Sequence, residues 1–367
     1  MLYHIFYPLV EYYGFFNIFQ YISFRAIGAF ITAILLTFLF GPRLIKKFKK
    51  NQLTEKINES LPEDHRKKIG TPTMGGIIIG MALITSVLLW NDLTNNFVLV
   101  SGLVTVWLGG LGFLDDYLKN IKNFPDGLIE NYKIIGQIIL GLIIAFTLYF
   151  GYAESISITE IQFPIFKNFS ISLGIFFIPF VALFITFYSN SVNLTDGLDG
   201  LAPGTIAIVA FGLGVMAYLK GNAVISDYLQ LEFISSAGEL AVFISAMIGA
   251  IIGFLWFNIK PASIFMGDTG ALSMGGLLAV LAVLLKEEIF FVIISFIFVV
   301  ESFSSLFQRY YFKYTRKKYG QGKRYYLCAP LHHHYELKNH SESQIVVRFW
   351  IITMLLTAIG LITIKIR

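Results

Sequence analysis

The sequence predicts an all-α, polytopic integral membrane protein with about ten transmembrane helices. Its 367 residues are 56% hydrophobic and only 14% charged, whereas a soluble domain carries about 25% charge. Several apolar runs reach the roughly 20 residues that a helix needs to cross about 30 Å of hydrocarbon. A β-barrel would show alternating segments of about ten residues instead. The low charge content disfavours the other alternative, a soluble protein with long buried helices.

Hydropathy along the chain marks ten candidate spans. They are 20–42, 74–91, 97–114, 134–152, 170–189, 201–219, 237–257, 269–285, 288–309 and 346–365. Residues 151–170 alternate polar and apolar side chains, which predicts a short hairpin on the outer side. No other segment is long enough to fold alone, so we expect residues 1–367 to form a single integral domain.

The basic residues predict the orientation of the chain. Lysine and arginine concentrate on one side of the predicted membrane, with 22 of their 28 residues in five loops. Those loops are 43–73, 115–133, 190–200, 258–268 and 309–348. The positive-inside rule assigns them to the cytoplasm, so both termini are expected on the outer, periplasmic side. The unusual polar motifs lie in the same loops, which predicts a site at the inner face of the membrane.

Five aspartates lie at predicted span ends on this side. Asp115 and Asp116 are adjacent, Asp196 and Asp199 would share a face if helical, and Asp268 follows a Phe-Met-Gly turn. Carboxylates at such positions are costly unless they are paired or bound to metal. Mg²⁺ takes one or two carboxylates and keeps positions for phosphate oxygens. The alternative is that each aspartate only caps a helix or solvates a loop.

Cations suited to a diphosphate accompany these aspartates. Lys68, Lys119 and Lys133 are close to the acidic motifs in the predicted topology, and lysine binds phosphate as a point charge. Lys68 also precedes GTPTMGG at 70–76, whose glycines allow backbone N–H groups to approach an anion. The other lysines and arginines are attributed to the positive-inside bias.

A histidine run and a possible base-binding pair complete the predicted site. His332, His333 and His334 are consecutive, and the single cysteine of the chain offers no thiolate partner for zinc. We expect these imidazoles to hydrogen-bond phosphates or a carboxylate. Asn258 and Phe265 could hydrogen-bond and stack on a planar base.

Together these features predict phosphoryl transfer between a soluble nucleotide donor and a membrane-embedded acceptor, with Mg²⁺ as cofactor. A cation transporter is the alternative from another class. It would place acidic residues deep within spans, where Glu301 is the only good candidate.

Five motifs between about residues 66 and 340 resemble the polyprenyl-phosphate N-acetylhexosamine-1-phosphate transferases. They are GTPTMGG, GFLDDYLK, NSVNLTDGLDGLA, FMGDTGALSMGG and APLHHHYEL. The resemblance implies transfer of phospho-N-acetylmuramoyl-pentapeptide from UDP-MurNAc-pentapeptide to undecaprenyl phosphate at the bacterial inner membrane. The products would be lipid I, the first membrane intermediate of peptidoglycan, and UMP. A WecA-type enzyme using UDP-GlcNAc is the alternative, which the uninterrupted histidines followed by an aromatic and Glu336 disfavour.

The resemblance also implies roles for individual residues. Asp268 would bind Mg²⁺, Asp115 and Asp116 would form the catalytic acidic pair, and His332 would be a further catalytic residue. The uridine pocket would be shaped by Leu194, Asp196, Asn258, Phe265 and Gly267. The remaining substrate-binding residues would be Lys68, Thr73, Lys119, Lys133, Asn190, Asn193, Asp199, His333 and His334.

Two further expectations come with this family: a homodimer, and a bent ninth span that opens a lipid-facing groove. Glu301 and the nearby serines interrupt the apolar run VVESFSSLFQRYYF (299–312), which predicts the bend there. Direct attack by the lipid phosphate is favoured over a phospho-aspartate intermediate, since a carboxylate bound to metal is a poor nucleophile.

Overall fold

A computed structural model describes residues 2–51, 70–122, 124, 127–152, 158–163 and 169–364. Almost all of the regular structure in this part of the chain is helical. The α-helices are α1 (Leu2–Phe6), α2 (Ile22–Lys50), α3 (Gly76–Trp90), α4 (Asn96–Asn120), α5 (Glu130–Tyr152), α6 (Phe177–Thr195), α7 (Leu201–Lys220), α8 (Ala223–Leu229), α9 (Ala237–Asn258), α10 (Gly267–Leu284), α11 (Glu288–Ile294), α12 (Phe296–Tyr319), α13 (Leu331–Glu336) and α14 (Glu342–Thr363). Short 3₁₀ helices lie at Tyr7–Glu11, Gly14–Gln20 and Gly174–Phe176.

The predicted polytopic membrane character is confirmed. Within the described residues, eight helices are long and apolar enough to cross a membrane, and the bent pair α11–α12 makes a ninth candidate. The predicted span 74–91 forms α3, whose 15 residues cover about 22 Å at 1.5 Å per residue. The total of ten spans and the orientation of the termini stay predictions.

The central helix of the bundle is α10, and nearly all of its side chains are buried. It packs against α4 and α6, while α9 packs between α2 and α7. Glycines allow the close approach: a Cβ at Gly276 would overlap Leu108 of α4, and one at Gly275 would lie 2.5 Å from the carbonyl oxygen of Tyr188 on α6. Small residues at helix contacts are typical of membrane bundles.

The bend in the predicted ninth span lies earlier than the sequence suggests. The chain turns by 75° at Ser295, between α11 and α12. The prediction of a bend near Glu301 is therefore wrong, because α12 runs without a break through that region. The Ser304 hydroxyl donates to the Glu301 carbonyl within the helix, and the Glu301 carboxylate has a buried partner on another element.

A two-stranded antiparallel sheet follows α5. Its strands are β1 (Glu160–Gln162) and β2 (Ser170–Ser172), with Glu160 opposite Ser172. Helix α5 continues to Tyr152, so the strands begin later than the start of the predicted hairpin at residue 151.

Candidate active site

Five helix ends from distant parts of the sequence meet at one end of the bundle. They are the C-terminal ends of α4, α6 and α9 and the N-terminal ends of α5 and α10. Hydrogen bonds join Asp115 of α4 to Lys133 of α5, and Asp116 of α4 to Thr269 of α10. The acidic motifs predicted to converge at residues 115, 116 and 268 therefore share one site.

Two carboxylates and two lysines form the centre of this site. Lys119 Nζ lies 2.6 Å from Asp115 Oδ2 and 3.2 Å from Asp268 Oδ2. Lys133 Nζ lies 2.6 Å and 2.8 Å from the same two oxygens. Asp115 and Lys119 meet because they are one helical turn apart on α4, whereas the other contacts depend on packing between helices. Two like charges this close inside a protein need the bridging cations.

The side chain of Asp116 has different hydrogen-bond partners from that of Asp115. Its carboxylate accepts from the backbone N–H groups of Asp268 (3.3 Å) and Thr269 (2.9 Å) and from the Thr269 hydroxyl (2.6 Å). The first N–H groups of a helix lack partners within it, so Asp116 of α4 supplies the cap of α10. This contact fixes the place of Asp268, the second residue of α10, against α4.

The glycine-rich segment at 70–76 lies beside the start of α10. The Phe265 N–H donates to the Pro72 carbonyl (2.8 Å), and the Gly75 N–H donates to the Phe265 carbonyl (2.8 Å). Gly267 has φ +71°, and a Cβ there would lie 2.8 Å from both Asp116 Oδ2 and Thr73 Oγ1. These contacts place Thr73, Phe265 and Gly267 at the site. Lys68, also predicted to bind substrate, lies outside the described residues.

A buried carboxylate–imidazole pair lies next to the 190–200 segment. His332 Nδ1 is 3.0 Å from Glu301 Oε2, and both side chains are almost fully buried. His332 Nε2 has no hydrogen-bond partner among the described residues. A Cβ at Gly197 would overlap this nitrogen, so the free nitrogen faces the backbone of the aspartate-rich segment.

The other two histidines have partners near the surface. His333 Nδ1 lies 2.6 Å from Glu336 Oε2, one turn along α13. His334 Nδ1 accepts from the Leu327 N–H at 3.1 Å, which requires an unprotonated nitrogen. Burial, together with the charge of Lys338, lowers the pKa of His334 and so favours this neutral form.

Asn258 and Asp199 hold loop backbone. The Gly200 N–H donates to Asn258 Oδ1 (3.0 Å), and Asn258 Nδ2 donates to the Ile264 carbonyl (2.9 Å). Asp199 Oδ2 accepts from the Ala262 N–H at 3.1 Å. Both side chains are buried, so they connect the 190–200 and 258–268 segments that were predicted to act together.

The end of α6 contributes a polar chain that leads back to the lysines. Asn190 Nδ2 donates to Gln137 Oε1 (2.7 Å), and Gln137 Nε2 donates to Ser189 Oγ (3.1 Å). Gln137 lies one turn after Lys133 on α5. Asn193 is half-buried, Leu194 is exposed, and Asp196 is the C-cap of α6 rather than part of a helix shared with Asp199.

The sequence did not reveal the hydrogen-bond partners of Glu301 and Gln137. A role for Gln137 could have been inferred from the sequence, since Gln137 and Lys133 lie on the same face of α5. Glu301 and His332 are 31 residues apart and on different helices, so no local spacing links them.

The donor set suits a hard divalent cation. Among the described residues no three histidine, cysteine, aspartate or glutamate side chains are grouped as a metal cage. Mg²⁺ does not need such a cage, because it is commonly held by one or two carboxylates together with substrate phosphates and water. Asp115 and Asp268 provide two oxygens that already share cationic partners, and the Asp268 side chain is 16% exposed.

Comparison with known proteins identifies the family of the chain. Residues 98–286 match the family model described as glycosyl transferase family 4. Three phospho-N-acetylmuramoyl-pentapeptide-transferases are similar over nearly the whole chain. The protein of Geobacter sp. (strain M21) is 48% identical and that of Chlorobaculum tepidum 46%, each with full coverage of both chains. The protein of Chlorobium chlorochromatii is 47% identical over 96% of this chain and 95% of its own.

Proposed function

The chain belongs to glycosyl transferase family 4 and, within it, to the phospho-N-acetylmuramoyl-pentapeptide-transferases, and from this premise we propose how its site works. It transfers phospho-N-acetylmuramoyl-pentapeptide from UDP-MurNAc-pentapeptide to undecaprenyl phosphate in the bacterial membrane. The products are lipid I and UMP. Our assignment of the site rests on one observation: Asp115 and Asp268 contact the same two lysines.

The lysines bind the phosphates of both substrates. In the structure each Nζ is held between two carboxylate oxygens, and a diphosphate offers the same kind of anionic oxygen at higher charge. Lys133 is fixed at the first turn of α5, whereas Lys119 is more exposed and can follow the substrate. Asp115 then positions the lipid phosphate and accepts any proton that it carries.

Transfer proceeds by direct attack. An oxygen of the lipid phosphate forms a bond to the β-phosphorus of the donor, and the bond from that phosphorus to the bridging oxygen breaks. The α-phosphate leaves as part of UMP. Asp268 would hold Mg²⁺ when it binds, and the charge of the ion would offset the charge that develops on the leaving phosphate.

His332 and Glu301 act on the diphosphate together with the two lysines. Glu301 accepts from His332 Nδ1–H, which fixes the ring with Nε2 toward Gly197. The burial of this carboxylate beside an imidazole whose other nitrogen has no partner among the described residues points to a functional pair. We assign His332 Nε2 to a hydrogen bond with the bound diphosphate and Glu301 to positioning that nitrogen.

An apolar cavity of about 380 Å³ provides a place for the prenyl chain. It lies between α6 and the bent pair α11–α12. Its lining includes Phe180, Phe184, Phe187, Tyr188, Val299 and Phe303. The cavity lies along both segments of the bent pair, since Val292 of α11 and Val299 of α12 both line it.

The positive-inside bias supports a cytoplasmic site, which is the side where a soluble nucleotide donor is available. We also propose that the enzyme acts as a homodimer, by analogy with the family.

The proposal is tested with purified full-length protein, UDP-MurNAc-pentapeptide, undecaprenyl phosphate and Mg²⁺. We expect UMP release together with lipid I, and we expect Asp268→Ala to abolish both while the thermal unfolding profile remains cooperative. Asp227→Ala is the matched control, because Asp227 is an exposed residue of α8. Product formed by Asp268→Ala at the wild-type rate would contradict the assignment. Lipid-linked GlcNAc formed from UDP-GlcNAc, with none from the muramoyl donor, would instead identify the WecA-type reaction.

A further inference from the structure

The exposed part of α12 carries a concentrated positive charge. Arg309, Lys313 and Arg316 are spaced by four and three residues, so they lie on one side of the helix, which we call the basic face. All three are exposed, as are the four basic residues that follow at 317, 318, 323 and 324. The sequence contains no aspartate or glutamate between 302 and 335.

This charge is not neutralised by the parts of the protein that the structure describes. Within those residues, no carboxylate lies within ion-pair distance of the basic face, although other cations such as Arg25, Lys220 and Lys286 have one. Like charges one turn apart on a helix repel each other. The basic face therefore favours an external anionic partner.

A second surface of α12 is aromatic. Phe303, Phe307, Tyr310 and Tyr314 are spaced by four, three and four residues, and each is about half exposed or more. We call this the aromatic face. The third side of the helix, which includes Glu301 and Thr315, is buried against the protein. Thus α12 presents one buried, one basic and one aromatic surface.

The direction of α12 explains how the basic face and the aromatic face can both meet a suitable environment at the same time. The helix turns by 75° from α11, which belongs to the apolar bundle. Exposed tyrosines of a membrane protein, such as Tyr310 and Tyr314 here, concentrate at the lipid–water interface. Basic residues on an interfacial amphipathic helix attract anionic headgroups. A soluble acidic protein would match the basic face and leave the aromatic face in water.

We propose that α12 is an interfacial helix that binds anionic phospholipid. The basic face holds the phosphate groups, and the aromatic face lies in the acyl region beside them. This inference is independent of the proposed transferase reaction, since it needs only the membrane location and the geometry of α12. Undecaprenyl phosphate shares the chemistry of a lipid phosphate, so the test includes it as a separate arm.

The measurement is the selectivity of the protein surface for spin-labelled phosphatidylglycerol over spin-labelled phosphatidylcholine, from the motionally restricted fraction of each label. The full chain is studied in phosphatidylcholine vesicles. The test variant is Arg309→Gln/Lys313→Gln/Arg316→Gln. The control is Lys46→Gln/Lys47→Gln/Lys50→Gln, which removes three exposed charges from the end of α2.

We expect the test variant to lose selectivity for phosphatidylglycerol by about threefold or more, because each basic residue near an anionic surface contributes on the order of 1 kcal/mol. The control should lose less than half as much, and added salt should reduce the difference. Equal losses in the two variants, or no loss in the test variant, would overturn the proposal.

The lipid substrate is distinguished by competition. We add one equivalent of either undecaprenyl phosphate or unlabelled phosphatidylglycerol. If only undecaprenyl phosphate displaces the phosphatidylglycerol label, the label occupies a single substrate site, and the phospholipid assignment is contradicted. UMP release in detergent is measured on the same preparations. Its absence would count against the proposed function and leave the lipid measurement unaffected.

Discussion

Single residues decide how the site is organised, and the adjacent aspartates illustrate this. Asp115 contacts two lysine ammonium groups, whereas Asp116 contacts only the first backbone and hydroxyl groups of α10. The 100° between neighbouring residues on a helix sends the two side chains to different partners. Asp115 is therefore placed to meet substrate, and Asp116 is placed to hold Asp268.

Glu301 provides a test at the scale of one residue. We expect Glu301→Leu to lower kcat by about 10- to 100-fold, the range typical for loss of an outer partner that orients a functional histidine, with little change in the KM for the nucleotide donor. Glu301→Gln keeps a carbonyl oxygen as acceptor and should retain several times more activity than Glu301→Leu. Steady-state UMP release measures both constants.

The comparison of the two variants separates positioning from packing. Glu301→Leu leaves the buried His332 Nδ1–H without its acceptor, at a cost of about 1–3 kcal/mol, so the thermal unfolding of both variants is measured beside their activity. Equal activities of the Gln and Leu variants, or a loss confined to KM, would argue against orientation of His332 by Glu301.

At the scale of helices, the distance between α4 and α10 sets the geometry of the carboxylates. A Cβ at Gly112 would lie 2.5 Å from the Asp268 carbonyl carbon and 2.6 Å from the Thr269 Cα, whereas a Cβ at Gly110 would meet nothing within 4 Å. We expect Gly112→Ala to lower kcat at least about tenfold, since misplacement by about 1 Å can cost 100-fold. Gly110→Ala should remain within about twofold of wild type and serves as the control, since an exposed Gly→Ala change in a helix is mildly favourable.

The readout is UMP release together with the thermal unfolding temperature. Because Gly112→Ala removes no polar group, its effect reports helix spacing alone. A wild-type rate for Gly112→Ala would mean that the contact between α4 and α10 does not control the site.

Local sequence patterns predicted the helices and the members of the acidic centre, and they failed where partners come from elsewhere in the chain. Asp115 and Lys119 are both predicted members of the site, and the single helical turn between them accounts for their contact. The ion pairs of Lys133 required the packing of α5 against α4. Glu301 and the nearby serines interrupt the apolar run and so predict a bend there, but His332, 31 residues away, pairs with Glu301 and α12 continues.

At the scale of the whole molecule, the orientation in the membrane is open to direct measurement. Cys328 is the only cysteine of the chain and lies in the predicted cytoplasmic segment 309–348. In inverted membrane vesicles we expect a membrane-impermeant maleimide to label Cys328, and we expect protection in right-side-out spheroplasts. Since Cys328 is only partly exposed, two exposed positions serve as matched reporters in a Cys328→Ala background.

Those reporters are Lys122→Cys, in the predicted cytoplasmic segment 115–133, and Asp227→Cys on helix α8, which is predicted to lie on the outer side. The maleimide should label Lys122→Cys in inverted vesicles and Asp227→Cys in right-side-out spheroplasts. Labelling of Lys122→Cys from the outside would place the acidic centre on the wrong face for a cytoplasmic nucleotide donor.

The central claim is that Asp115 and Asp268 act as one catalytic unit. The most direct measurement is the rate of UMP release by Asp115→Asn, Asp268→Asn and the double variant, with both substrates saturating. Residues that act together lose activity non-additively, so we predict that each single variant falls by about 1000-fold or more and that the double variant is no slower than the slower single one. Losses that multiply in the double variant, or a single variant near the wild-type rate, would contradict the account.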